Sequence, residues 1–372
     1  MANATPECAA AYNEFADLFE RKLWHQLTVA VYKFVSDETA CKSADLTALY
    51  DGFIKNFEAK ANQLKLAQII CAIARQCSDV KLALKLLEDA LEQRERLGPE
   101  ASLLLSSELG LYRLKKGDVE SIKGMLSSGK EALEDLQAAD TCVHSAHHLL
   151  ASEYNKVVGP PEAFYKSALM YLAYTPLATI PPEQQYQLAT DISLAALTGD
   201  GVFNFGEVLA TPALKVLEGT PNAWLGSMLQ AFNKGDLDAF NSIMADNRAA
   251  VQAQPAMVNR EAFVKEKIAL LCLMNMVFER PSHQRIIPFA KIAEGAKLPL
   301  DQVEWLIMRA MSLSLIKGIM DEVAQQLHVS WVQPRVLDTE QLTQLVDQLG
   351  AWKGSVGKAL TYVEDQTPEL LG

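Results

Sequence analysis

The sequence predicts a mainly α protein: a right-handed solenoid of helical hairpins, then a winged-helix module, then a C-terminal helix. Three observations predict it. From Glu7 to about Arg248, apolar residues recur at helical spacing and period-two alternation is scarce. Two segments, 111–126 (LYRLKKGDVESIKGML) and 229–244 (LQAFNKGDLDAFNSIM), repeat one pattern of helix, tight turn and helix. Near the C-terminal end, Leu342, Leu349, Val356 and Val363 recur at heptad spacing, with Leu345, Trp352 and Ala359 between them at the d position.

Residues 80–97 illustrate the helical stretches. Leu82, Leu86, Leu87, Ala90, Leu91 and Leu97 are expected on one side, with Lys81, Lys85, Glu88, Asp89 and Glu92 largely on the other. Gly98 and Pro99 end this segment, since proline cannot extend the ladder and glycine tolerates the left-handed turn after a helix. In the two echoing segments, Gly117 and Gly235 supply the positive φ that closes the first helix, and Asp118 and Asp236 cap the second. The alignment of Leu111 with Leu229 and Lys116 with Lys234 points to stacked hairpins of the tetratricopeptide type. An unrelated helical hairpin would select similar turn residues. Prolines at 160–161 and between Pro176 and Pro182 read as loops inside the helical region, and Pro281 as a domain boundary.

Beyond Pro281 the character changes. Residues 286–296 read as a short helix, 297–299 as a turn and 300–314 as a second helix with Asp301 near its start. Two β-prone runs follow, 315–319 and 328–333, joined by an acidic stretch at Asp321 and Glu322. That is the order of a winged helix. The last element, 338–363, carries the heptad seam together with Gly350, Gly354 and Gly357, each worth about 1 kcal/mol against a helix interior. Such a helix is expected to need partners along its seam. The expected domains are therefore 1–250, a helical-repeat solenoid; 251–337, the winged-helix module with its leading helix; and 338–372, a C-terminal helix and tail.

Composition narrows the function. The chain has 372 residues, 49% hydrophobic and 22% charged, which is ordinary for a chain that buries a core. Its net charge of −12 makes nucleic acid and anionic membrane poor partners. The second helix of the winged-helix module confirms this expectation for DNA, offering Asp301, Gln302 and Glu304 against one Arg309. Six cysteines without a CxxC pair suit a reducing compartment. No basic start and apolar run of a secretory signal is seen. The longest apolar run, 268–278, spans 11 residues between Lys267 and Glu279 and reads as a buried helix of a soluble protein.

Catalytic chemistry is not evident. Cys142, His144, His147 and His148 are the only concentration of metal-ligand types, and His144 and His148 would share a helix face. No HExxH surrounds them, so packing histidines are expected, with a zinc hydrolase as the competing reading. Gly199, Gly201 and Gly206 lack the GxGxxG spacing and follow a helix, so they read as a helix connection into which Phe203 and Phe205 pack. No cofactor is expected.

Residues 22–27 (KLWHQL), 201–208 (GVFNFGEV), 270–276 (LLCLMNM) through Arg280 and Pro281, 321–323 (DEV) and 331–338 (WVQPRVLD) closely resemble the subunit-13 family of non-ATPase proteins of the proteasome regulatory particle. The resemblance covers nearly the whole chain. It implies a PCI protein, a non-catalytic scaffold of the lid, cytoplasmic and nuclear, that supports degradation of ubiquitinated proteins. In that family, winged-helix sheets join side by side and last helices enter a shared bundle with the deubiquitinase pair, near a ubiquitin-receptor subunit. Carried onto this chain, the sheet edge is expected at Val329, Trp331 and Val332, and the bundle seam at Leu342, Leu345, Leu349, Trp352 and Val356. A subunit of a sister PCI complex, the signalosome or a translation initiation factor, would share this architecture.

Overall fold

The computed structural model describes residues 6–36, 46–77, 79–92, 97–136, 139–280, 285–336 and 339–366. Pro281 and Asp338, where boundaries were expected, and Cys41 lie outside them. The chain divides into two compact units, 1–184 and 185–372.

In the first unit the helices are α1 (Pro6–Glu20), α2 (Trp24–Ser36), α3 (Leu46–Gly52), α4 (Gln63–Gln76), α5 (Val80–Glu92), α6 (Pro99–Lys116), α7 (Val119–Asp135), α8 (Thr141–Val157) and α9 (Pro161–Tyr174). From α4 to α9 each helix packs on the next, α2 lies against α1 and α4, and α6 also lies against α4 and α8, so consecutive hairpins share a core. Asn62 caps α4 by accepting from the Lys65 amide, and Asp140 caps α8 by accepting from Cys142. The inner face of α4 buries Leu66, Ile69, Ile70 and Ile73, each worth about 1.5–3 kcal/mol once removed from water. Along α5, Ala83, Leu84, Leu87 and Ala90 face inward. Leu82, expected on that side, is exposed, because the buried face is centred on Leu87 and Leu82 lies well off it.

The turn from α6 to α7 follows the expectation. Gly117 sits at φ 87°, the Asp118 amide reaches back to the Arg113 carbonyl, and the Asp118 carboxylate accepts from the Ser121 amide. One bidentate ion pair ties α4 to α6: Arg75 Nε and Nη2 meet the buried Glu108 carboxylate at 2.8 and 2.7 Å.

The second unit begins within the first turn of α10 (Pro182–Thr198) and continues through α11 (Gly206–Ala210), α12 (Ala223–Lys234), α13 (Leu237–Asp246), α14 (Arg248–Gln252), α15 (Pro255–Asn259) and α16 (Glu261–Phe278). The turn from α12 to α13 repeats the earlier one: Gly235 at φ 63°, and Asp236 accepting from the Asp238 and Ala239 amides. Gly235 is also indispensable for packing, since a Cβ there would lie 2.8 Å from the Cys272 Cα of α16. Helix α16 is apolar nearly all round and touches α12, α13, α15 and the winged-helix elements, which makes it the spine of this unit.

The winged helix comprises β1 (Ile286–Pro288), α17 (Phe289–Ala296), α18 (Leu300–Ser312), β2 (Ile316–Asp321) and β3 (Gln326–Val332), and the final helix is α19 (Thr339–Gln366). Residues 286–288 were expected in a helix and form a strand instead. Pro288 disfavours helical backbone at Ile287, and Pro288 itself is extended (φ −64°, ψ 142°), so α17 starts only at Phe289. Lys297, at φ 51°, closes α17, with the Leu298 amide on the Ala293 carbonyl. The antiparallel sheet has the order β1-β3-β2. Gly318 is required at a bulge in β2, where a Cβ would meet the His328 carbonyl oxygen at 2.1 Å. The fold class is therefore that expected: mainly helical hairpins, then a winged helix, then a terminal helix.

Candidate docking site

Helix α19 spans 28 residues, about 42 Å at the usual rise. Leu342, Leu345, Leu349, Trp352 and Val356 form one stripe along it and are between 41 and 67% exposed. Val346 and Leu360 widen that stripe at the e position. The heptad reading passed over both, although each lies four residues beyond a seam residue, Leu342 and Val356. Every side chain described on α19 is exposed. Positions 350, 354 and 357 each have open space where a Cβ would go, so nothing described in this chain requires glycine there.

The sheet edge expected at Val329, Trp331 and Val332 is covered only in part, since β1 pairs with residues 326–328 and Trp331 and Val332 lie beyond it. Val329, Trp331 and Val332 belong to β3, the middle strand, hydrogen-bonded to β2 and, at its start, to β1. Val329 is 7% exposed and points into the core, and Trp331 is 37% exposed with Lys317 Nζ 5.0 Å from its ring centre. The acidic stretch misled the reading: β2 runs on to Asp321, and Asp321 Oδ1 accepts from the Ala324 amide at 2.9 Å to make the turn. The outer strands are β1 and β2. Across the outward face, Ile286, His328 and Ile319 stand in one row, set by the register. On α18 the outward residues include Asp301, Gln302, Trp305 and Met308.

The histidines serve packing. His147 is buried between α7 and α8, where a Cβ on Gly129 would lie 2.9 Å from its ring, and burial pushes its pKa down to about 4. His144 and His148 stack on Tyr174 at 4.7 and 5.7 Å, and Cys142 Sγ accepts from Gln68 Nε2. Among the described residues no group of three or more His, Cys, Asp or Glu side chains is arranged to hold a metal. Burial raises the Cys71 thiol well above its usual range and the Cys272 thiol to about 11, leaving both poor nucleophiles.

Sequence reasoning missed Lys267, which it treated as a charge bordering the apolar run. The residue is 0% exposed, and its Nζ donates to the carbonyls of Ala196, Leu197 and Gly199 at 2.7, 3.3 and 2.8 Å. Two of these, the carbonyls of Ala196 and Leu197, are groups that the end of α10 leaves without helical partners, and the third, Gly199, lies just past it. Phe203, Phe205 and Phe263 surround the same nitrogen, with ring centres 5.2–5.8 Å away. The expected packing of Phe203 and Phe205 into the glycine connection is thus organised by a lysine. No described helix is long and apolar enough to cross a membrane.

Two family models match the chain: PSD13 N-terminal repeats over residues 11–229 and the PCI domain over 244–331. The 26S proteasome non-ATPase regulatory subunit 13 homolog B of Arabidopsis thaliana is 40% identical over 99% of this chain and 97% of its own length. The non-ATPase regulatory subunit 13 of Dictyostelium discoideum is 36% identical over 98% and 95%, and the regulatory subunit RPN9 of Saccharomyces cerevisiae 32% over 95% and 92%. Similarity also extends to a eukaryotic translation initiation factor 3 subunit M of Aspergillus oryzae, at 24% over 57% of the chain.

Proposed function

The chain belongs to the family of the 26S proteasome non-ATPase regulatory subunit 13, and from that premise we propose that it is a non-catalytic scaffold of the regulatory-particle lid, holding neighbouring lid subunits during ATP-dependent degradation of ubiquitinated proteins. Its partners are other PCI subunits at the winged-helix sheet and a helical bundle, including the deubiquitinase pair, at α19, with a ubiquitin-receptor subunit nearby. Its working places are the cytoplasm and nucleus. The observation that carries this reading is the apolar stripe of α19, every residue of which is exposed, on a helix of 28 residues. A single chain gains nothing from such a stripe; a bundle of helices buries it. The outer strand β2 supplies the second contact, offering backbone groups on its outer side to a neighbouring strand.

Each large seam residue contributes about 1.5–3 kcal/mol when buried, so Leu349→Asp is expected to lower incorporation into the particle at least tenfold while the free chain melts as before. Tagged chains recovered from cells and identified by mass spectrometry check this: proteasome lid and base should accompany the parent chain and be depleted from the variant. Normal recovery with Leu349→Asp would remove α19 as the docking element. Recovery of initiation-factor subunits instead would move the architecture to a sister complex; the full-length relatives favour the proteasome.

A further inference from the structure

Residues 334–336 form a strap that leaves the winged helix and returns to the helices before it. Arg335 Nη1 donates to Asn275 Oδ1 in the last turn of α16, and Nη2 donates to the Asn233 carbonyl and, at 3.1 Å, to Asn233 Oδ1 at the end of α12. Asn275 Nδ2 donates to the same Asn233 carbonyl at 3.2 Å, so one guanidinium closes a network over two helices. That carbonyl belongs to the last turn of α12, where a cation also meets the negative end of the helix. One residue on, the Val336 amide donates to Asn204 Oδ1 at 3.3 Å, and its side chain occupies the place of the missing Cβ of Gly206, which would fall 2.5 Å from Val336 Cβ. Helix α19 starts at Thr339.

From this geometry we infer that Arg335, held by Asn233 and Asn275 while Gly206 seats the neighbouring Val336, is a positioning residue that roots the docking helix: it fixes where α19 departs, so that the seam is presented to partner helices from one direction. The inference rests on α19 being the docking element. A flexible root would leave the same stripe pointing many ways, and a partner would bind only the fraction correctly aimed.

Arg335→Met keeps the stem and removes the fork. Gly206→Ala acts on the strap from the opposite side, by displacing Val336, and serves if the first variant misfolds. In the free full-length chain, hydrogen exchange at the Val336 amide is expected to quicken at least tenfold in both variants, with exchange in α16 unchanged. In cells, Arg335→Met is expected to lower incorporation about tenfold, if correctly aimed chains fall to a tenth. In a Leu349→Asp background the same change should cost little more, because it acts through the seam. Arg335→Lys, which cannot fork across Asn233 and Asn275, is expected to restore incorporation only in part. Unchanged Val336 exchange would overturn the strap. An equal loss of incorporation with and without Leu349→Asp would overturn its action through α19. Normal incorporation of Leu349→Asp alone would instead fault the docking reading, with the exchange measurement still judging the strap.

Discussion

Two buried polar side chains, Lys267 and His147, behave unlike their exposed counterparts. Lys267 is held by three carbonyls at the end of α10. Lys267→Met keeps the stem and strips the carbonyls of their donor, so at least about 3 kcal/mol of stability should be lost, read as a lower urea midpoint at unchanged slope. His147 bears on pH. Protonation is easier in the unfolded chain, near the usual 6.5, than in the folded one, near 4, where burial first and then His148 and His144 oppose the charge. The contribution of neutral His147 is therefore complete above about pH 6.5 and drains away as pH falls toward 4, by about 1.4 kcal/mol per unit and roughly 3 kcal/mol in all. In His147→Gln the stability profile between those values should flatten; an unchanged slope would assign the acid sensitivity to other groups.

Among the elements, α19 is the one whose own sequence argues against it. Three glycines interrupt 28 residues, yet nothing described in the chain occupies the space beside them. Replacing Gly350, Gly354 and Gly357 together by alanine should stabilise the free helix by about 3 kcal/mol and raise its helical circular dichroism. If partner backbones approach on that flank, the same triple variant should enter the particle less well than its parent. Elements of this kind were legible from sequence because their signals are local. The paired Gly-Asp turns at 117–118 and 235–236 are chemical necessities of a closed helix and a capped one, and both form as read. Strand order is not local. Nothing in residues 329–332 says whether a strand lies on one side or both, and the β1 partner that makes β3 central hides in three residues ahead of Phe289. Lys267 was equally invisible, since its place depends on α10 ending beside α16, more than sixty residues away in sequence.

At the scale of the whole molecule, the two units differ in what they leave exposed. The first has a continuous apolar core, with the ion pair Arg75–Glu108 and the packed histidines of α8. The second ends in features that look outward: the outer strands β1 and β2, Trp305 and Met308 on α18, and the stripe of α19. Among the described residues, burial raises the Cys71 and Cys272 thiols, and His144 and His148 stack on Tyr174. The architecture and the terminal helix with its apolar stripe were readable in advance; the strap at Arg335 was not, because a lone arginine in an extended stretch carries no period and no spacing.

An uncovered stripe also has a life before assembly. A copy synthesised in excess of its partners displays Leu342, Leu349, Trp352 and Val356 to the cell, a surface of the kind that chaperones and proteases triage. Under the proposed docking role, the same residues that admit the chain to its complex would mark the copy that never arrived, and stoichiometry would be policed without a dedicated sensor. Orphan chains overproduced in cells should be short-lived, and removal of 338–372 should lengthen their half-life severalfold in a chase experiment even as it abolishes incorporation.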